Sequence, residues 1–102
     1  MAQDWSLEAE KARSALIVAA MRRTLMTYEE LGRAIGVPKT SLLATMGPIL
    51  DVVSEACHDL GEPSLAALVV NKRTGRPGKG WTNGPIRWTT LVRNIYTHWR
   101  PV

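Results

Sequence analysis

Glycine and proline cut this chain at short intervals. Gly36-Val37-Pro38, Gly47-Pro48, Gly61-Glu62-Pro63, the cluster from Gly75 to Gly80 and Asn83-Gly84-Pro85 follow one another through its last two thirds. Glycine enters the left-handed conformation at little cost, and proline removes a backbone donor, so each group ends a helix or turns the chain. Between them there is room only for short elements. The 102 residues therefore make one domain, 1–102, too small for a TIM barrel or a multidomain enzyme. Apolar residues at 45% and charged residues at 22% match a folded globular chain.

The first segment, about 6–26, reads as a helix, with Ser6 as its cap, Glu8 and Glu10 at the positive end of the dipole and Arg22 and Arg23 at the negative end. Its apolar residues Leu7, Leu16, Ile17, Ala20, Met21 and Leu25 wrap around more than one side, which raises the expectation of a homodimer. The second helix, about 27–35, has the clearest start. Thr27 and Glu30 have capping-box spacing, while Met26 and Leu31 stand at the positions of a hydrophobic staple. Leu31, Ala34 and Ile35 are its inward face, Gly36 its end. A short helix follows at about 40–46, and Gly47-Pro48 separates it from a further helix at about 48–60 closed by Gly61. In that last helix Ile49, Val52, Val53, Ala56, Cys57 and Leu60 repeat at helical spacing, with Asp51, Glu55 and Asp59 on another side.

Leu65-Ala66-Ala67-Leu68-Val69-Val70 reads as a strand, and Asn71 to Trp81 as a basic, glycine-rich hairpin loop returning through a second strand near 80–82. A final helix at about 86–99 would bury Trp88, Leu91, Val92, Ile95 and Trp99 on one face. The predicted class is mainly α with a β-hairpin wing at about 65–82, an α+β winged helix-turn-helix.

Charge is divided along the chain. The first 62 residues hold six Lys/Arg against nine acids, while the last forty hold seven Lys/Arg and no acid. A block of net +7 suits a polyanion. In a winged helix, the short helix after the Gly-Val-Pro turn enters the major groove and the wing lies along phosphates. The candidate DNA contacts are thus Lys39, Thr40, Ser41 and Thr45 on that helix and Lys72, Arg73, Arg76 and Lys79 on the wing. Trp81, beside the wing, is a candidate partner contact, since tryptophan is enriched at interface hot spots.

Thr27-Tyr28-Glu29-Glu30-Leu31, Gly36-Val37-Pro38-Lys39, Val69-Val70-Asn71, Gly75 and Gly80-Trp81 together resemble the winged-helix DNA-binding domain of alkylguanine-DNA alkyltransferases and alkyltransferase-like proteins. The resemblance covers about 55 residues and implies the same fold and a duplex DNA partner. It does not extend to alkyl transfer: the family's Pro-Cys-His-Arg motif falls on Ala67-Leu68-Val69-Val70, and the arginine its members insert into the base stack falls at about Leu42. The stretch from Val69 to Gly80 is also similar to one in small uncharacterised bacterial and phage proteins.

Other chemistry finds little support. Cys57 and His58 are neighbours on a helix and point about 100° apart, which does not align a nucleophile with its base. Cys57 lies on the apolar face and reads as a packed thiol. One cysteine with His58 and His98 does not complete a structural zinc site, and Lys79 is followed by Gly80 where a nucleotide-binding loop needs Ser or Thr. No catalytic residue, metal or cofactor is expected. With no membrane-length apolar run and no secretory pattern at the start, the expected location is the cytoplasm. The expected function is non-enzymatic binding of double-stranded DNA with weak sequence selectivity, in a regulatory or accessory role. The alternative is a protein-binding module on the same scaffold, such as a phage product that binds a host protein.

Overall fold

The computed structural model describes residues 4–78 and 86–101. Its elements are α1 (Ser6–Met21), β1 (Met26–Thr27), α2 (Tyr28–Ile35), a 3₁₀ turn (Lys39–Ser41), α3 (Leu42–Asp59), a second 3₁₀ turn (Leu65–Leu68), β2 (Val69–Val70) and α4 (Trp88–His98). The chain is mainly helical, with one small two-stranded parallel sheet among the described residues. No described helix is long and apolar enough to cross a membrane.

Helix α1 is capped one residue earlier than expected, at Trp5 rather than Ser6. Ser6 is its first residue, and Asp4 Oδ1 accepts the Ser6 N–H at 2.9 Å in place of a Ser6 cap. It also ends at Met21, well short of 26. Arg23 is left-handed at φ 56°, its N–H bonds Ala20 O at 3.0 Å, and Thr24 N–H bonds Ala19 O at 2.9 Å. This is the Schellman pattern, which closes the last carbonyls but ordinarily uses glycine. An arginine in that conformation costs on the order of 1 kcal/mol. Its guanidinium lies 5.3 Å over the ring of Tyr96, a contact that offsets part of the cost. Ending early frees Met26 and Thr27 to form β1.

The start of α2 is as the spacing predicts. Thr27 Oγ1 accepts from Glu30 N–H at 3.1 Å, and the Glu30 carboxylate accepts from Thr27 N–H at 2.8 Å. Gly36, at φ 83°, ends the helix, and Val37 N–H bonds Gly32 O at 2.8 Å. Leu31 and Ile35 are buried, but Ala34 is exposed. The third inward residue is Gly32, where a Cβ would come within 3.1 Å of Leu42 Cδ2, so its bare backbone sets how closely α2 approaches α3.

The expected break at Gly47-Pro48 does not occur. The two predicted helices 40–46 and 48–60 are one, α3, with Pro48 inside it. Pro48 withholds a hydrogen bond from the Ala44 carbonyl, but Ala44, Gly47 and Pro48 all face solvent, where water can take that acceptor. On the opposite side Met46, Ile49, Leu50, Val53 and Cys57 are buried in an unbroken stripe. Their burial outweighs the local cost.

The apolar run 65–70 is also not a strand throughout. Leu65–Leu68 form a 3₁₀ turn, and only Val69 and Val70 are extended. All six are buried, the turn packed among α1, α3 and α4 and the two valines against β1 and α2. A curled segment can send side chains to three neighbours at once without needing partners for a ladder on both edges. Trp88 Nε1–H bonds the Ala67 carbonyl at 2.7 Å, and with Trp99 it packs half-buried against the core. β2 pairs parallel with β1, Met26 beside Val69 and Thr27 beside Val70, rather than in a hairpin; the returning strand expected at 80–82 lies outside the described residues. α4 spans 88–98, with Ile86 exposed ahead of it and Trp99 at its cap, slightly shorter than the predicted 86–99.

Away from the sheet, Arg13 of α1 ties down the end of α3. Its guanidinium meets both oxygens of Glu62, at 2.7 and 3.0 Å, and lies 5.6 Å from the Trp99 ring. The bond to Arg13 holds the Glu62 carboxyl below its ordinary 4.5.

Glu62→Gln should cost about 2 kcal/mol at neutral pH, the scale of hydrogen bonds to a charged group. Because the folded value is depressed, that contribution is complete above pH 4.5 and is lost as pH falls through the folded value. Urea unfolding of both proteins should therefore show a gap at pH 7 that closes on acidification; a gap independent of pH would contradict the pair.

Candidate nucleic-acid interface

The basic segment is braced by its own backbone. Directly after β2, Asn71 N–H bonds Arg76 O and Gly75 N–H bonds Asn71 O, both at 2.8 Å. The Asn71 side chain accepts from Arg73 N–H at 2.8 Å, and Thr74 Oγ1 accepts from Arg76 N–H at 3.2 Å. Gly75 supplies the left-handed residue, at φ 68°, that such a turn requires. With the loop satisfied from within, Lys72, Arg73 and Arg76 are exposed, and none of them forms a salt bridge among the described residues.

The parallel pairing of β1 with β2 decides where this loop sits. It brings Asn71 and Lys72 against the start of α2 and the head of α3. Farther along, Gly78 N–H reaches the Tyr28 hydroxyl at 3.3 Å; a Cβ on Gly78 would stand 3.1 Å from that oxygen, so a glycine lets the loop lie this close. The result is a groove of about 480 Å³ whose lining includes Glu29, Lys39, Leu42, Leu43, Asn71 and Lys72. Lys39 from the 3₁₀ turn before α3 and Lys72 from the loop, predicted as separate halves of one surface, share it.

A carboxylate lies between them. Glu29 Oε1 is 3.1 Å from Lys39 Nζ, and the contact pulls the Glu29 carboxyl below its ordinary value, with Lys72 and Arg33 adding to the same effect. Lys39 remains largely open to solvent, at 81%. Among the hydroxyls, Thr40 is exposed and Ser41 half-buried. Thr45 differs from its expected role as a donor: its hydroxyl proton goes to Ser41 O at 2.7 Å, which leaves it only acceptor capacity. In place of the short helix expected at about 40–46, Lys39, Thr40 and Ser41 form the 3₁₀ turn and only Thr45 lies on α3, whose far half bears Asp51, Glu55 and Asp59, all exposed. Lys79 and Trp81 lie outside the described residues.

Glu29 and Leu43 escaped the sequence reading. Glu29 meets Lys39 only through the fold, ten positions away, and no local pattern marks it. Leu43 stands in an uncharged helical stretch with nothing local to mark it, yet is fully exposed. The Asn71 brace was legible in principle, because asparagine before a glycine-containing turn is a known device for bonding the backbone two residues on.

Elsewhere, a second cavity of about 780 Å³ between α3 and α4 holds Ser54, His58 and Ser64, but the two serine hydroxyls bond each other at 2.9 Å. Cys57 is fully buried, and burial pushes its thiol above the usual range. No group of three or more His, Cys, Asp or Glu among the described residues is placed to hold a metal ion. Comparison with models of known protein families, with curated proteins and with solved structures finds no match to this chain.

Lys39→Ala should let the Glu29 carboxyl titrate closer to 4.5. Carboxyl chemical shifts followed against pH would register the rise; an unmoved midpoint would show that the ion pair is not formed in solution.

Proposed function

We propose that this chain is a non-enzymatic, double-stranded DNA-binding protein of winged-helix type. The observation that carries the reading is the trio Lys72, Arg73 and Arg76, held open on a self-braced loop beside the head of α3, with Lys39 across the groove. In this reading α2 and α3 are the helix-turn-helix, Gly36-Val37-Pro38 is its turn, and the loop after β2 is the wing. The exposed acids on the far half of α3 confine DNA to that helix's first turns, because Asp51, Glu55 and Asp59 would be driven off by phosphate. Braced cations position the protein on the backbone, and Thr40, Ser41 and Thr45 offer no arginine or asparagine fork, so hydrogen-bonded base readout is weak. The positions that would correspond to an alkyltransferase motif, Ala67 to Val70, are buried in the core, which supports binding without alkyl transfer.

One further observation favours the second reading, a protein-binding module. The outward side of α1 leaves Leu7, Val18 and Met21 at 61%, 50% and 43% exposure, a surface that a second copy of the chain or another protein would cover. Light scattering at high micromolar concentration tests the homodimer; a monomer removes it.

Fluorescence anisotropy on a random-sequence duplex tests the main reading. If Lys39, Lys72, Arg73 and Arg76 each neutralise a phosphate, log K should fall against log salt with a slope of about −3.6, from about −0.9 per contact. Reversing Lys72, Arg73 and Arg76 to Glu should abolish binding while the urea midpoint stays unchanged, since all three are exposed. Undiminished binding by that folded variant overturns the DNA reading and favours the protein partner.

A further inference from the structure

The head of α3 presents a surface that the fold itself does not explain. Leu43 is fully exposed, at 102%. One turn on, along the same ridge, comes Gly47, also exposed, and Ala44 and Pro48 flank it. Gly47 directly precedes Pro48, whose ring disfavours a Cβ on a helical residue before it, so the proline accounts for a glycine here; beyond its chain neighbours a Cβ would meet open space. The fold thus maintains an apolar knob and a bare backbone side by side on its surface. No charged residue interrupts Leu42 to Ile49, and Asp51 is the first beyond it. On the other side Lys39 and Lys72 line one groove with Leu43, together with Glu29, which is paired to Lys39. An uncharged patch bordered by cations suits an occupant with a charged rim and an uncharged floor, as a DNA groove has.

Resting on the DNA reading above, we propose that Leu43 is a base-contacting specificity residue that reads the C5-methyl group of thymine in the major groove, with Gly47 allowing α3 to lie close against the base edges. Of the four bases, only thymine offers an apolar group at its major-groove edge. Against any other edge, leucine would strip water from a donor or acceptor without replacing the hydrogen bond, which is unfavourable. The selectivity missing from Thr40, Ser41 and Thr45 is supplied by shape and desolvation. The effect of one methyl-sized contact is about four-fold in affinity, the scale of burying a single methyl or methylene group.

The test compares two duplexes, one of alternating dA and dT and one of alternating dA and dU, which differ in the methyl groups. Wild-type protein should bind the thymine duplex about four-fold more tightly per methyl contacted. Leu43→Ala, which removes no core contact, should lose that preference and bind both duplexes alike. Gly47→Ala should weaken binding to both. A wild-type protein that binds without distinguishing dT from dU overturns this proposal and leaves the DNA reading standing. So does a Leu43→Ala protein that keeps the preference, or one that loses affinity equally on both duplexes. Failure of the wild-type protein to bind either duplex overturns the DNA reading and this proposal with it.

Discussion

Burial of one side of α3 is the constraint on which the rest of the structure depends. Met46, Ile49, Leu50, Val53 and Cys57 lie in a single stripe, with α1 packed along it, α2 crossing at its head and the 65–68 turn closing its far end. Each such side chain contributes about 1.5–3 kcal/mol when fully buried, so the stripe outweighs the roughly 3 kcal/mol that an interior proline costs a helix. That balance keeps the helix whole through Gly47-Pro48. It also puts the unfavourable residues on the side facing water, where the bare Ala44 carbonyl can be hydrated. The continuous helix has a functional result: the uncharged head and the acidic tail of α3 belong to one rigid rod, so whatever binds the head is held at a fixed distance from the acids.

A second, smaller constraint places the basic loop. Two residues of parallel sheet, Met26–Thr27 against Val69–Val70, join segments more than forty positions apart and set Asn71 next to the start of α2. The same Thr27 caps α2, so one residue anchors both the helix and the strand pair. Hence the orientation of α2, the turn into α3 and the position of the loop are mechanically coupled. The electrostatics follow this geometry. Lys39, Lys72 and Arg33 all favour the ionised form of Glu29, which lies where an incoming phosphate would be drawn, so an anion entering the groove competes with an internal carboxylate for Lys39.

Helix ends show why some of this was legible. Thr27 with Glu30, and the glycines at 36 and 61, act through backbone groups only a few residues away, so spacing alone identifies them. The end of α1 was misplaced because Arg23 does the work of a glycine, and what offsets its strain is Tyr96, seventy-three positions later. The candidate site divides in the same way. Lys39, Lys72, Arg73 and Arg76 could be picked out by charge, while the groove that unites two of them, the carboxylate between them and the solvent-facing position of Leu43 could not.

What the sequence determined by itself, then, is whatever rests on short-range covalent and hydrogen-bonding geometry. That covers the capping box, the glycine helix ends, the apolar periodicity of α3 and α4, and the segregation of positive charge into the last forty residues. Tertiary structure alone decided whether Gly47-Pro48 would break a helix, whether Leu65–Leu68 would be strand or 3₁₀ turn, and which side of α3 would be left in water. Those outcomes turn on how much apolar surface a neighbouring element can cover. The neighbour is distant in the chain, so the deciding free energy comes into being only when the elements pack.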